Sequence, residues 1–352
     1  MKSVRWLGMV LVAALWVLGV EPVQARRPRW GGHGAVAVSP DGSLIAVGGA
    51  GRTLYVLDAE SMEVTRRIWQ GVQIGALAFN ADGTRLAVED ETGAIVLFET
   101  EGFSQARNLP DADMMFAATP ANRMAVISAR GSRASVLCMT TGDEIRAVAM
   151  PEGVRAGIVA LNRGGTRLAA LSLPFADADA DRGDPPEDMP QNDARMFGDG
   201  NSSRLLVWNV EDGAAARDHT LWYTPSGDSS ALAWSGDDLI VFGHRSVGLR
   251  IGADGTTTRL DGMGHHMYGR GSSADHALVV MGGLANGSIN RITPEGVEAV
   301  AFRIADRLRG WPEYFADFAF GPENRQVYGV TSASRLIRMS PGGRVEQSVP
   351  VY

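Results

Sequence analysis

The chain has 352 residues, a formal net charge of -7, 45% hydrophobic and 21% charged residues, and one cysteine, Cys138. This apolar content can build a core, so the chain is not wholly disordered, and one cysteine excludes a disulfide scaffold or a cysteine-ligated zinc finger. The acidic balance argues against a general nucleic-acid binder, and no nucleic-acid partner is expected.

The first element is an export signal. Lys2 and Arg5 precede an apolar run from Trp6 to Val20, and Val23 and Ala25 suit a cut after Ala25. The pattern predicts a signal peptide over residues 1–25, then a linker over 26–34. The run falls short of the roughly 20 residues that span a bilayer. No cysteine follows it, so a lipid anchor is not expected, and Arg26-Arg27 comes too late for a twin-arginine signal. The expected location is periplasmic or secreted, in a bacterium. Arg26, Arg27 and Arg29 directly after the run leave an alternative, an inner-membrane anchor through residues 6–20. Membrane association is expected only if this segment stays uncleaved. Cleavage would leave a net charge of -8, since Lys2, Arg5 and Glu21 depart. Lys2 is the only lysine, and the arginines are scattered over all regions, which points to nucleotide composition and not to selected anion contacts.

The remainder repeats. Ala35-Val36-Ala37-Val38-Ser39-Pro40-Asp41-Gly42-Ser43-Leu44-Ile45-Ala46-Val47 returns 41 residues later as Ala76-Leu77-Ala78-Phe79-Asn80-Ala81-Asp82-Gly83-Thr84-Arg85-Leu86-Ala87-Val88. Further copies begin at Phe116 and Ile158, weaker ones at Ala231 and Tyr268, and a seventh at Phe315. In each, a short apolar strand meets a polar turn, often Asp-Gly, and a second strand such as Leu44–Val47 follows. A third strand (Leu54–Leu57, Ile95–Phe98, Leu205–Trp208, Leu336–Met339) leads through another glycine turn to a fourth, such as Val64–Ile68 or Val345–Val349. Four strands per unit of about 40 residues predict an all-β fold, a seven-bladed β-propeller of four-stranded antiparallel blades over residues 35–352. The blades are read as 35–71, 72–110, 111–151, 152–224, 225–263, 264–310 and 311–352, with an acidic loop insert, 174–203, lengthening the fourth. The closing blade can be built from contiguous sequence, and residues 26–34 leave open an added strand. No long segment of helical period argues for a doubly wound α/β fold.

With its repeat period, this chain resembles the WD-repeat family and its bacterial YVTN-type and TolB-type relatives. Its motifs are degenerate. Trp208-Asn209 approaches the Trp-Asp dipeptide, Leu57-Asp58 and Phe98-Glu99 stand at matching places, and Gly32-His33 is similar to the Gly-His pair. The resemblance implies a binding platform more often than an enzyme. It also implies that the loops between strands two and three share a face with the loops between blades. On that face it places Trp69, Trp222, Tyr223, His265, His266, Trp311 and Tyr314 between blades, and His244 and Arg245 within blade five. Aromatic and arginine residues there are candidate anchors for a protein partner, though any single tryptophan could instead seal a gap between blades.

The insert carries eight acids and two arginines. Asp177, Asp179, Asp181 and Asp188 follow the spacing of a calcium loop, but Arg182 stands where that loop needs glycine, so a solvated loop is the preferred reading. No cofactor is expected, calcium being the one candidate ion. No nucleophile motif or phosphate-binding glycine loop occurs. The Asp-Gly turns are read as structural, and Cys138 as a small buried hydrophobe. The expected function is that of a monomeric, exported, non-enzymatic binding or scaffold protein. The alternatives are a propeller hydrolase or lactonase with a metal or histidine site at the channel mouth, and calcium-dependent adhesion through the insert.

Overall fold

The computed structural model describes residues 33–109, 112–119, 121–173, 175–176, 201–221, 231–242, 248–260, 267–272, 279–283, 289–293, 296–300, 313 and 315–352. They belong to one unit, Gly31–Tyr352. The first sheet holds β1 (His33–Val38), β2 (Leu44–Gly49), β3 (Thr53–Asp58) and β4 (Val64–Trp69). The second holds β5 (Ile74–Phe79), β6 (Arg85–Asp90), β7 (Ile95–Glu99) and β8 (Gln105–Leu109). The third holds β9 (Ala112–Thr119), β10 (Arg123–Ser128), β11 (Arg133–Cys138) and β12 (Glu144–Ala149). The fourth holds β13 (Ala156–Leu161), β14 (Arg167–Ser172), β15 (Phe175–Ala176), β16 (Asn201–Asn209) and β17 (Ala215–Leu221). Then come β18 (Ala231–Ser235), β19 (Asp238–Phe242), β20 (Gly248–Ile251) and β21 (Thr257–Leu260). The sixth sheet holds β22 (Met267–Ser272), β23 (Val279–Gly283), β24 (Ile289–Thr293) and β25 (Gly296–Val300). The last holds β26 (Phe315–Phe320), β27 (Val327–Thr331), β28 (Arg335–Met339) and β29 (Val345–Pro350).

Among the described residues these are seven antiparallel sheets, six of four strands and one of five. First strands touch in a cycle: β1 meets β5, β5 meets β9, β9 meets β13, β13 meets β18, β18 meets β22, β22 meets β26, and β26 returns to β1. That closed ring of meandering sheets is a β-propeller. The extra strand is β15, which pairs with the start of β16 through Phe175↔Ser202 and Ala176↔Asn201, at the two ends of the acidic insert. The insert's other residues, 177–200, lie outside the described residues.

Ring packing explains the repeat. A blade is covered on both faces, so its second strand is apolar throughout; β2, β6 and β10 are buried along nearly their whole length. Alternate residues of such a strand face opposite neighbours. Leu86 and Val88 pack towards the first blade, while Ala87 packs towards the third. Leu168 and Ala170 face the third blade, and Ala169 the fifth. Ile45 and Val47 face the last blade, and Ala46 the second. In the first and second blades the large-Ala-large triplet thus sets bulk against one neighbour and a small residue against the other, while in the fourth blade Ala170 takes the third place.

The turns between first and second strands reuse one device. The Asp41 carboxylate accepts hydrogen bonds from the Ser39 hydroxyl (2.6 Å) and the Ser43 amide (3.0 Å). Asp82 accepts from the Thr84 amide (2.9 Å) and hydroxyl (2.6 Å). Gly42 has φ +74°, and a Cβ there would sit 2.8 Å from Pro322 of the last blade, so conformation and space both demand glycine. These aspartates are occupied in holding turns, as the sequence reading held.

In six sheets the first strand also bulges, leaving Gly34, Gly75, Asp113 and Phe116, Gly157, Tyr268 and Ala316 as extra residues. Among the described residues the closing blade consists of β26 to β29, and β1, which begins at His33, pairs with β2 in the first blade; residues 26–32, read as a possible added strand, lie outside the described residues. Among the described residues no strand is exchanged across the seam between last and first blades. Side chains bridge it instead. The Val36 amide donates to Asp317 Oδ2 (3.0 Å), and Arg338 Nη1 donates to the carbonyls of Ala59 and Glu60 (both 3.1 Å). Beneath them Val36, Ile45, Val47 and Leu57 pack on Tyr328, Val330 and Leu336.

Candidate interaction face

In a four-stranded meander, strands two and four end on one side of the sheet, so the links that follow them emerge together. Hydrogen bonds stitch these links to each other. Within blades, the amides of Gln70, Met150 and Val351 donate to the carbonyls of Arg52, Ser132 and Ser334 (all 2.9 Å). The amides of Glu91 and Leu173 donate to Gln73 and Arg155 carbonyls (2.8 and 2.7 Å). The rim is therefore a set of short, mutually braced loops. On the opposite face the 3–4 turns brace the 1–2 turns, through Ala59 to Ser43 (3.0 Å) and Val210 to Thr166 (2.8 Å).

Of the residues singled out from sequence, Trp69 is described, and 68% of its surface is exposed. It ends β4, so it stands on the stitched rim. Cross-strand pairing sets Trp69 opposite Thr53 and Arg67 opposite Tyr55. Tyr55 packs against the last blade, so Arg67 and Trp69 share the side facing the last–first seam. Arg67 Nε and Nη2 donate to the main-chain oxygen of Tyr352 (3.3 and 3.0 Å). Trp69 does not seal a gap between blades. That role falls to tryptophans the sequence reading did not select: Trp234 is buried and donates from Nε1 to the Ala160 carbonyl of the preceding blade (3.3 Å).

Trp222, Tyr223, His244, Arg245, His265, His266, Trp311 and Tyr314 lie outside the described residues, as do Asp177, Asp179, Asp181 and Asp188. Among the described residues no group of three or more histidine, cysteine or acidic side chains could hold a metal. Cys138 is half-buried, less enclosed than expected, because it ends β11 beside Asn122, whose Nδ2 lies 3.9 Å from Sγ.

Two features were missed. The first is Glu313, whose side chain is 2% exposed. Its carboxylate accepts from Arg335 Nε (2.9 Å) and Nη2 (2.5 Å), and from the Thr331 hydroxyl. Nothing local in Trp-Pro-Glu-Tyr marks this glutamate as buried; its partners come from strands 18 and 22 residues away. The second is a row of arginines at the third residue of the fourth strand. Arg66 stands over the Phe103 ring of the next blade at 5.8 Å. Arg107 reaches the Thr141 carbonyl and Asp143 Oδ1 (2.7 Å), and Arg146 reaches the carbonyls of Val210 (3.0 Å) and Glu211. Arg217 reaches the Gly252 carbonyl (3.1 Å), and in the last blade Gln347 reaches Ser61 (3.2 Å). Arginines that look scattered along the chain fall in register once strands are drawn.

No protein-family model matches the sequence, and neither does any curated protein. Solved structures do match. One is hydrazine synthase of Kuenenia stuttgartiensis, with 13% identity and TM-score 0.63 over 91% of this chain and 99% of that one. Another is a chain of a mitotic checkpoint complex, with 12% identity and TM-score 0.58 over 90% of this chain and 86% of that one. The likeness is one of fold. It agrees with the WD-like propeller reading of the repeats, and at these identities it carries the architecture alone.

Proposed function

We propose that this chain is an exported, non-enzymatic interaction scaffold that presents one braced loop face to a protein partner. The observation that carries the reading is an exposed Trp69 on a rim whose loops are hydrogen-bonded to each other. A pre-formed surface binds without first ordering its own loops, and a large aromatic side chain contributes much contact area at small entropic cost. The fold supports the reading by analogy, since propellers of unrelated sequence share this geometry. Export rests on the N-terminal pattern of Lys2, Arg5, Trp6–Val20 and Ala25.

The test is affinity capture of the mature protein from its native envelope fraction, with Trp69→Ala and Trp311→Ala variants beside it. A repeatable partner lost in either variant supports the scaffold. A wild type that captures nothing while turning over a small-molecule ester or lactone would replace it with the hydrolase reading. Export is checked separately by N-terminal sequencing of the protein from the periplasm, which should begin at Arg26.

A further inference from the structure

We infer that the outer edge of the sixth blade, strand β25, is a docking site for an extended segment of a protein partner that sets a basic residue opposite Glu298. The site lies on the outer wall of the ring, so the inference goes beyond the loop face of the scaffold reading.

Each blade ends in a fourth strand whose outer edge pairs with no other strand among the described residues. A free edge invites strand addition, and proteins blunt it with bulges, prolines, charges or short strands. Five of the seven outer strands are bulged at their second residue: Thr65, Ala106, Ile145, Ala216 and Glu346 each stand unopposed between paired neighbours. The residue after the bulge is in each case the one that reaches the following blade: Arg66, Arg107, Arg146, Arg217 or Gln347. The strand of the last blade also ends in Pro350, which has no amide hydrogen to offer. β21 and β25 run without a bulge. β21 is short, four residues of sequence Thr-Thr-Arg-Leu. β25 pairs with β24 over five successive residues, and its sequence, Gly-Val-Glu-Ala-Val, has no proline and one charge. That charge, Glu298, stands at the third position, where four of the bulged strands place an arginine. The valines favour extended pairing. β24 already sets Arg291 opposite Glu298 in the ladder. A lysine or arginine on an added strand would carry that alternation of charge one strand further out, and opposite charges across a ladder stabilise it. A second copy is the poorer occupant. Two β25 strands paired antiparallel about a two-fold axis over their full length would put Glu298 opposite Glu298, and like charges directly opposite destabilise the pair. The edge thus admits a foreign strand of complementary charge and disfavours its own.

The test is fluorescence anisotropy of the full chain with a labelled hexapeptide of alternating threonine and valine carrying one central lysine. Beside it stand a version with glutamate for the lysine and a version N-methylated throughout. The lysine peptide should bind, and the glutamate peptide should bind about tenfold more weakly. The N-methylated peptide should not bind, because strand addition works through main-chain hydrogen bonds. Glu298→Lys should reverse the preference between the two charged peptides, and Glu298→Gln should erase it, a pattern that a merely disturbed edge would not produce. Circular dichroism of both variants should match wild type. In hydrogen exchange the lysine peptide should slow the amides of residues 296–300 and leave those of β4 and β29 unchanged. No binding of the lysine peptide, equal binding of its N-methylated form, an unreversed preference in Glu298→Lys, or protection that falls on the rim would each overturn the inference. A wild-type dimer in sedimentation with protected β25 amides would assign the edge to a second copy instead. Trp69→Ala should not change peptide binding, so failure of the rim to capture a partner would leave this site standing, and failure here would leave the rim untouched.

Discussion

Asp41 shows how much a single side chain does in this fold. Its hydrogen bond from the Ser39 hydroxyl, with help from the Ser43 amide, holds its carboxyl below the ordinary value of 3.8, and Asp82 is lowered likewise by Thr84. A folded-state pKa below the unfolded one means that the ionised turn stabilises the fold above the ordinary carboxylate range. That contribution fades as pH falls through the lowered value. The urea midpoint of Asp41→Asn should therefore trail wild type at neutral pH, and the gap should close well below pH 3.8. A gap that persists or widens in acid would contradict this. Glu313 works differently, because it is buried with its charge partner. Glu313→Ala strands the Arg335 guanidinium and should cost about 3 kcal/mol in chemical denaturation, the lower end for a broken buried pair because Arg335 keeps some solvent. Replacing both residues with methionine should recover most of that loss.

At the scale of the strand, the sequence was legible wherever one residue type has one job. The Leu86-Ala87-Val88 triplet repeats because each blade presents bulk to one neighbour and an alanine to the other. Glycine recurs at Gly42 and Gly83 because both turns need positive φ. Leu86→Ala should cost about 2–5 kcal/mol, since Leu86 is fully buried between the first and second blades. The arginines of the fourth strands were not legible, because their meaning depends on which turn the next blade brings alongside. Arg146→Lys should lose about 1 kcal/mol in a denaturant melt, since an ammonium cannot span two carbonyls as the guanidinium does. If lysine serves as well as arginine there, the row is compositional after all. Of the candidate site, position on the loop face was legible at Trp69, because strand order alone puts the end of β4 there. The bracing of Arg67 by Tyr352 joins residues 285 apart and could not be read from either neighbourhood.

At the scale of the molecule, the described residues form a ring that closes without strand exchange. Its last seam depends on Asp317, Arg338 and Gln347, each bonded to backbone of the first blade. Asp317→Ala with Arg338→Ala should loosen the first and last blades in hydrogen exchange before the third and fourth; uniform loosening would mean that the seam is no weaker point. The same seam carries the exposed Trp69. The claim that this face engages a protein is tested most directly by photo-crosslinking in cells. A photoreactive residue placed at Gln70 on the rim should yield a discrete heavier adduct with a second protein, and one at Glu323, on the opposite face, should not. Equal adducts from both positions, or none from Gln70, would contradict the account.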